Sequence, residues 1–296
     1  MRRFTYPLIA TTAAALLFAG ASAASASTVN TPSTTGATIA TKTQAGYQTS
    51  GRDFRYIEST LTVPDDSLSP FDGDFYPVEY LQLSNGTQLS TAPILGSGDQ
   101  YIRAGIVPCA VANHIHGSTV CPNGDWSAFV TTFANTLPPP SSPVQFFNLA
   151  GVVAGDGVQF SIYYDQAGGD LHFVINPPNA SGSEPSFTFL QTAPGAVFDH
   201  AAALDDWTNS AGGTPVALPI VAPFQIGSFL GGALTTYNGT KGSFKGAWTT
   251  SEVEATSNGL VYPSGTVRAY PTALYGDGIK ANGAVRASDA FDEYLR

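Results

Sequence analysis

"GVQFSIYYDQAGGDLHFVINPP" (157–178) decides how the rest of the chain reads. Two runs rich in Val, Ile, Tyr and Phe, 157–166 and 170–178, flank "QAGGD" (166–170), which has the composition of a hairpin turn. The same signature recurs outward in both directions. "FRYIESTLTVP" (54–64), "PVEYLQLSNG" (77–86), "QYIRAGIVPC" (100–109), "WSAFVTTFA" (126–134) and "SFTFLQT" (186–192) are β-rich, and Gly, Pro, Asn or Asp bounds most of them. "PPPSSP" (138–143) reads as a loop or short extended spacer. Helix-period segments are almost absent; "DHAAALDDW" (199–207) suits a short helix by propensity or a strand. Regular short strands with no dividing linker predict an all-β fold, one two-sheet antiparallel β-sandwich over 46–296.

The first residues read differently. "MRRFTYPLIATTAAALLFAGASAASAS" has basic Arg2 and Arg3, an apolar run from Leu8 to Gly20, and two A-x-A sites ending at Ala23 and Ala26. This is the pattern of a secretory signal peptide over 1–26. The apolar run is shorter than the roughly 20 residues that span a bilayer. Residues 27–45, rich in Ser, Thr and Ala and without an acid or aromatic, read as a flexible leader or short pro-segment. Export predicts a secreted protein.

The chain carries 12 basic and 22 acidic residues, a formal net charge of −10. Removing 1–26 takes away Arg2 and Arg3, leaving 10 basic residues against 22 acidic and a net charge of −12. Such a surface disfavours nucleic acid and anionic membranes as partners. Two cysteines, Cys109 and Cys121, are expected to pair after export. The alternative is a metal site, because "NHIHG" places His114 and His116 between them, on one face if the segment is a strand. H-x-H alone lacks further ligands at recognisable spacing, so no cofactor is expected.

Nucleophile-elbow and P-loop motifs are absent, and no histidine has a Ser–Asp companion by spacing. Paired acids occur at Asp65-Asp66, Asp205-Asp206 and Glu252-Val253-Glu254; the last two glutamates could face one way on a strand, as acid and base or as a solvated face. Trp126, Phe129 and Phe133 suit a stacking groove or core, and alternation puts Trp126 and Phe129 on opposite faces.

The order of these segments resembles that of the glutamic peptidases, the eqolisin family. "AGYQTSGRDFRYIESTLTVP" (45–64) is similar to the family's opening strand pair, G-Y-x-x-x-G followed by an aromatic and T-x-T-V-P. "EYLQLSNG" (79–86) resembles its W-x-G-x-D-G strand, and "QYIRAGIVPC" its I-L-Q-x-G strand. "WSAF" (126–129) resembles W-Y-E-W, "AGDGVQFSIYYD" (154–165) resembles E-G-D-x-I, and "FDHAAALDDW" (198–207) falls where the family has A-E-W-I-V-E. The likeness covers about 46–207.

That resemblance implies a concanavalin A-like lectin/glucanase sandwich with a peptide groove on one sheet. It also implies catalysis by a Glu that activates water and a Gln that holds the oxyanion. At those positions this chain has Ala202 and Arg103, and Ala128 replaces the Glu of the aromatic strand. Arginine has no acceptor and does not deprotonate. The expectation is a non-catalytic binding protein whose groove uses Arg103, Trp126 and His200 to take an extracellular peptide or carbohydrate, as a monomer. Three alternatives stay open. One is an acid endopeptidase with displaced residues, Gln82 with Asp205 or Asp206. Another is a carbohydrate-active enzyme of related fold. The third is a structural role. Arg103 itself could instead sit at a sheet edge with its charge reaching solvent.

Overall fold

Residues 157–178 form the hairpin their composition suggests. Strands Gly157–Asp165 and Asp170–Asn176 pair antiparallel from Gln159↔Asn176 to Asp165↔Asp170. Gly169 takes the tight turn at φ 76°, and its N–H donates to the Asp165 carbonyl at 2.7 Å. Val158, Phe160, Ile162 and Tyr164 bury one face of the hairpin together with Leu171, Phe173 and Ile175.

The structure is a computed structural model. It describes residues 36–41, 43–64, 76–86, 101–117, 119–121, 126–133, 144–178, 186–190, 196–208, 224–245, 248–256, 266–271, 275–276 and 289–295. Thr31–Arg296 cluster as one compact unit. In chain order the strands begin with β1 (Ile39–Thr41), β2 (Gln44–Thr62), β3 (Tyr76–Ser84) and β4 (Tyr101–Pro108). The single helix among the described residues, α1 (Cys109–His116), follows. Then come β5 (Trp126–Phe133), β6 (Val144–Asn148), the hairpin β7 and β8, β9 (Ser186–Leu190) and β10 (Phe198–Thr208). The last elements are β11 (Phe224–Thr236), β12 (Lys241–Gly242), β13 (Thr249–Thr256), β14 (Val267–Pro271), β15 (Tyr275–Gly276) and β16 (Asp289–Leu295).

Strand β2 organises both layers. Its first half pairs with β10 and β13, and its second half pairs with β7 and β11. Between the halves Gly51 has φ 85°, a conformation that glycine adopts without Cβ strain and that lets the strand turn from one sheet to the other. The first sheet therefore runs β6-β5-β4-β3-β10-β2-β13-β1, and the second runs β9-β8-β7-β2-β11-β16-β14. Among the described residues, pairing is antiparallel except between β1 and β13. The inner faces meet in one apolar core: Leu81, Ile106, Val130 and Ala201 of the first sheet pack with Ile57, Phe160, Phe173 and Leu234 of the second. The fold is the β-sandwich that the strand spacing implies.

Two local expectations change. Residues 109–116 are helical, so His114 and His116 do not share a strand face; two residues apart on a helix they point to different sides, and both are exposed. Gly117 ends α1 in the left-handed conformation, with its N–H on the Asn113 and His114 carbonyls. Cys109 and Cys121 form a disulfide. The ordered sheet also starts before Gly46, since β1 pairs with β13 and Gln44 and Ala45 already belong to β2. Residues 199–207 lie in β10, whose backbone is paired on both sides, with β2 and β3. The segments 1–26, 65–66 and 138–143 and the Phe133 side chain lie outside the described residues.

Candidate functional site

Cross-strand register assembles the site on the outer face of the first sheet. Directly opposed residues share a face, and one row reads Thr131, Arg103, Gln82, Ala202, Gln48, Ser251 across β5, β4, β3, β10, β2 and β13. The sheet thus brings together Arg103, Gln82 and Ala202, which are far apart in sequence.

Arg103 lies on an interior strand and is 0% exposed, which rules out the sheet-edge arrangement. Its guanidinium stacks between two rings, 4.1 Å from the Tyr101 centroid and 5.0 Å from that of Tyr80. Its Nε donates to Gln82 Oε1 at 2.6 Å. Close approach of β4 to β3 depends on Gly105. A Cβ there would lie 2.0 Å from the Glu79 carbonyl oxygen and 2.6 Å from Tyr80 Cβ.

Hydrogen bonds continue from this buried cation toward the surface. Gln82 Nε2 donates to Ser84 Oγ at 3.0 Å, and Ser84 Oγ donates to the Gly86 carbonyl. The Gly86 N–H donates to Asp199 Oδ1 at 2.7 Å, the same oxygen that His200 Nδ1 approaches at 2.7 Å. The Asp199 and His200 side chains are 45% and 13% exposed, so this is where the face opens. Burial raises the Asp199 carboxyl, but hydrogen bonds from Gly86 and His200 outweigh it and hold the group below its ordinary value.

The acids lie elsewhere. Asp206 shares the outer face but is four residues along β10 from Ala202, about 13 Å at the usual strand rise. There it accepts from Gln44 Nε2 at 2.8 Å, and the same nitrogen lies 2.9 Å from the Tyr80 hydroxyl. Burial drives that hydroxyl well above its ordinary value, against the lowering effect of Arg103. Asp205 points to the inner face, directly across from Glu79, and both are buried. Burial first, then the charge of Asp206, raises Asp205 well above the ordinary carboxyl range. Trp126 does not join the site either: it lies on the inner face in the inter-sheet core, because its partner Pro108 alternates away from Arg103. Phe129 does face outward, packing with Val107, Val111 and Ala112 where α1 and the disulfide cover this sheet. Sequence reading missed the tyrosine stack around Arg103, although alternation already placed Tyr101 on the same face. It also missed the Glu79–Asp205 pair, which only register reveals.

Glu252 lies on β13, where burial, then repulsion from Glu254, raises its carboxyl from 4.5 to about 7. An unfolded chain ionises Glu252 near 4.5 while the folded one resists until about 7. The resulting penalty is absent below pH 4.5, grows between pH 4.5 and 7, and stays constant above. Asp205 acts in the same direction. Melting temperature is therefore expected to fall as pH rises from 4.5 to 7, and Glu252→Gln to flatten that slope. Thermal melts across this range check it, and an equal slope in both proteins would refute the burial effect at Glu252.

No family model and no curated protein matches the sequence. Among solved structures, scytalido-glutamic peptidase with a transition state analog inhibitor aligns at 12% identity and TM-score 0.53, covering 86% of this chain and 98% of that one. SCP-B, a member of the eqolisin family of peptidases in a complex with the tripeptide Ala-Ile-His, aligns at 12% identity and TM-score 0.41, over 86% and 98%. Lactose- and MES-liganded congerin II aligns at 11% identity and TM-score 0.30, over 55% and 93%. The chain has a glutamic-peptidase-like β-sandwich fold. At this identity the likeness is one of fold.

Proposed function

We propose that the chain is a secreted, non-catalytic binding protein on a glutamic-peptidase-like sandwich, taking an extracellular peptide or carbohydrate at the outer face of the first sheet. The observation that carries this reading is the row Arg103–Gln82–Ala202–Gln48, which holds amides and a cation but no carboxyl. Hydrolysis by a Gln–Glu pair needs a base within hydrogen-bond reach of the attacking water, directly or through one further water. Ala202, at the position that resembles the family's Glu, offers none. Arg103, at the position that resembles the family's Gln, is committed to Gln82 and two tyrosines. The ligand contacts are then at the open end, around His200 and Asp199, with Arg103 positioning Gln82 from beneath. With Nδ1 held by Asp199 at 2.7 Å, His200 has its other ring nitrogen to offer a ligand.

The peptidase alternative pairs Gln82 with Asp205 or Asp206. The opposite face of the one and the distance of the other weigh against it.

The wild type is expected to leave an unfolded protein substrate uncleaved at acidic and neutral pH, at the level of a heat-killed control. Cleavage that Asp206→Asn or Asp205→Asn abolishes would establish the peptidase alternative instead. Slow acid cleavage gained by Arg103→Gln with Ala202→Glu would support the assigned positions of the pair.

A further inference from the structure

The outer face of the second sheet carries a cleft of about 530 Å³, within the size range of small-ligand sites. Its walls include Arg55, Tyr56 and Glu58 of β2, Tyr163 of β7, Thr235 of β11 and Lys241 of β12. A bulge in the pairing of β2 with β11, between Thr235↔Tyr56 and Thr236↔Phe54, places Arg55 as the extra residue at the wall.

The charges in this cleft are unbalanced. Glu58 is its acid, and both carboxylate oxygens are engaged, one by the Tyr56 hydroxyl and the other by Gln159 Nε2 at 2.7 Å. Arg55 lies 5.9 Å from the Tyr163 ring centroid and has no carboxylate partner among the described residues. Lys241 is exposed and likewise has none. In a chain with 22 acids and 12 bases, two cations in one concavity without a carboxylate partner among the described residues mark a place for an anion.

We infer that this cleft binds a carboxylate-bearing saccharide of the hexuronate class. The Arg55 fork matches a carboxylate in two parallel hydrogen bonds, and Lys241 supplies a second cation across the cleft. The Tyr163 ring, packed with that of His172 at 5.5 Å between centroids, gives the cleft an aromatic wall for the apolar C–H groups of a pyranose, and the Thr235 hydroxyl can bond its ring hydroxyls. An extended peptide suits the place less well. Backbone groups of β2 in this stretch are consumed by β7 and β11, so the cleft floor offers no free edge for strand addition.

Calorimetric titration of the full chain with tetragalacturonate tests the inference, beside maltotetraose and a tri-glutamate peptide as probes. The uronate is expected to bind with a Kd tighter than about 1 mM at low salt and to weaken as salt rises. Maltotetraose is expected to show no heat. Arg55→Ala and Lys241→Ala should each weaken the uronate by about tenfold, and Arg55→Lys should fall between wild type and Arg55→Ala. Melts establish that each variant is folded, and neither residue belongs to the core. Absence of uronate binding, affinity unchanged in both alanine variants, or tighter binding of tri-glutamate than of the uronate would overturn the inference. Because the site lies on the other sheet, Arg103→Met should leave uronate binding intact, whatever it does to the first face.

Discussion

Replacing Arg103 by alanine is expected to lower unfolding stability by about 3–5 kcal/mol, the largest single-residue effect predicted for this chain. Two losses add. The first is packing: Arg103 is among the largest fully buried side chains, held between Tyr80 and Tyr101, and truncation leaves a cavity that two rings cannot close without shifting. The second is polar: Gln82 Oε1 loses its 2.6 Å donor at a fully buried position. For a domain of this size the drop corresponds to a melting temperature lower by about 10 °C. Arg103→Met keeps most of the volume and removes the buried charge, and is expected to cost less than half as much. Denaturant unfolding of the three proteins decides the matter. A loss under about 1 kcal/mol for the alanine variant would mean that the guanidinium reaches solvent after all.

The second large effect belongs to the Cys109–Cys121 disulfide, which closes a short loop with a sequence separation of 12. Changing both cysteines to serine is expected to cost about 3 kcal/mol. The same substitution should loosen α1. Val111 and Ala112 of that helix are buried against the outer face with Val107, Phe129 and Leu204, and Asn113 Oδ1 accepts the Val120 and Cys121 N–H groups at 2.7 and 3.2 Å. Hydrogen exchange is the sensitive readout. Amides of 109–117 should lose protection well before those of β3 and β4. Equal exchange in the two proteins, with a stability change under 1 kcal/mol, would show that packing alone holds the helix.

Local chemistry made much of the architecture readable. β-branched and aromatic runs bounded by turn residues announced the strands, and "QAGGD" announced its hairpin, because alternation and turn composition act over a few residues. The pairing of Cys109 with Cys121 was the first expectation from the sequence, ahead of a metal site with His114 and His116. The strand read over 100–109 ends at Pro108, which leads into a helix that Gly117 caps, so the strand face considered for His114 and His116 does not form. Trp126 failed as a groove residue because the face a side chain takes depends on strand register, which no local pattern contains.

By itself, then, the order of residues determined that the chain would make strands, roughly where, with Arg103 in one of them and two cysteines to join. Only tertiary structure decided that Arg103 stands beside Gln82 and in line with Ala202, that Asp205 turns inward against Glu79, and that Asp206 sits four residues away from the row. The physical reason is that a strand's neighbours come from distant parts of the chain. A shift of one residue in any pairing would exchange its inner and outer faces, and the burial of the whole sandwich selects a single register.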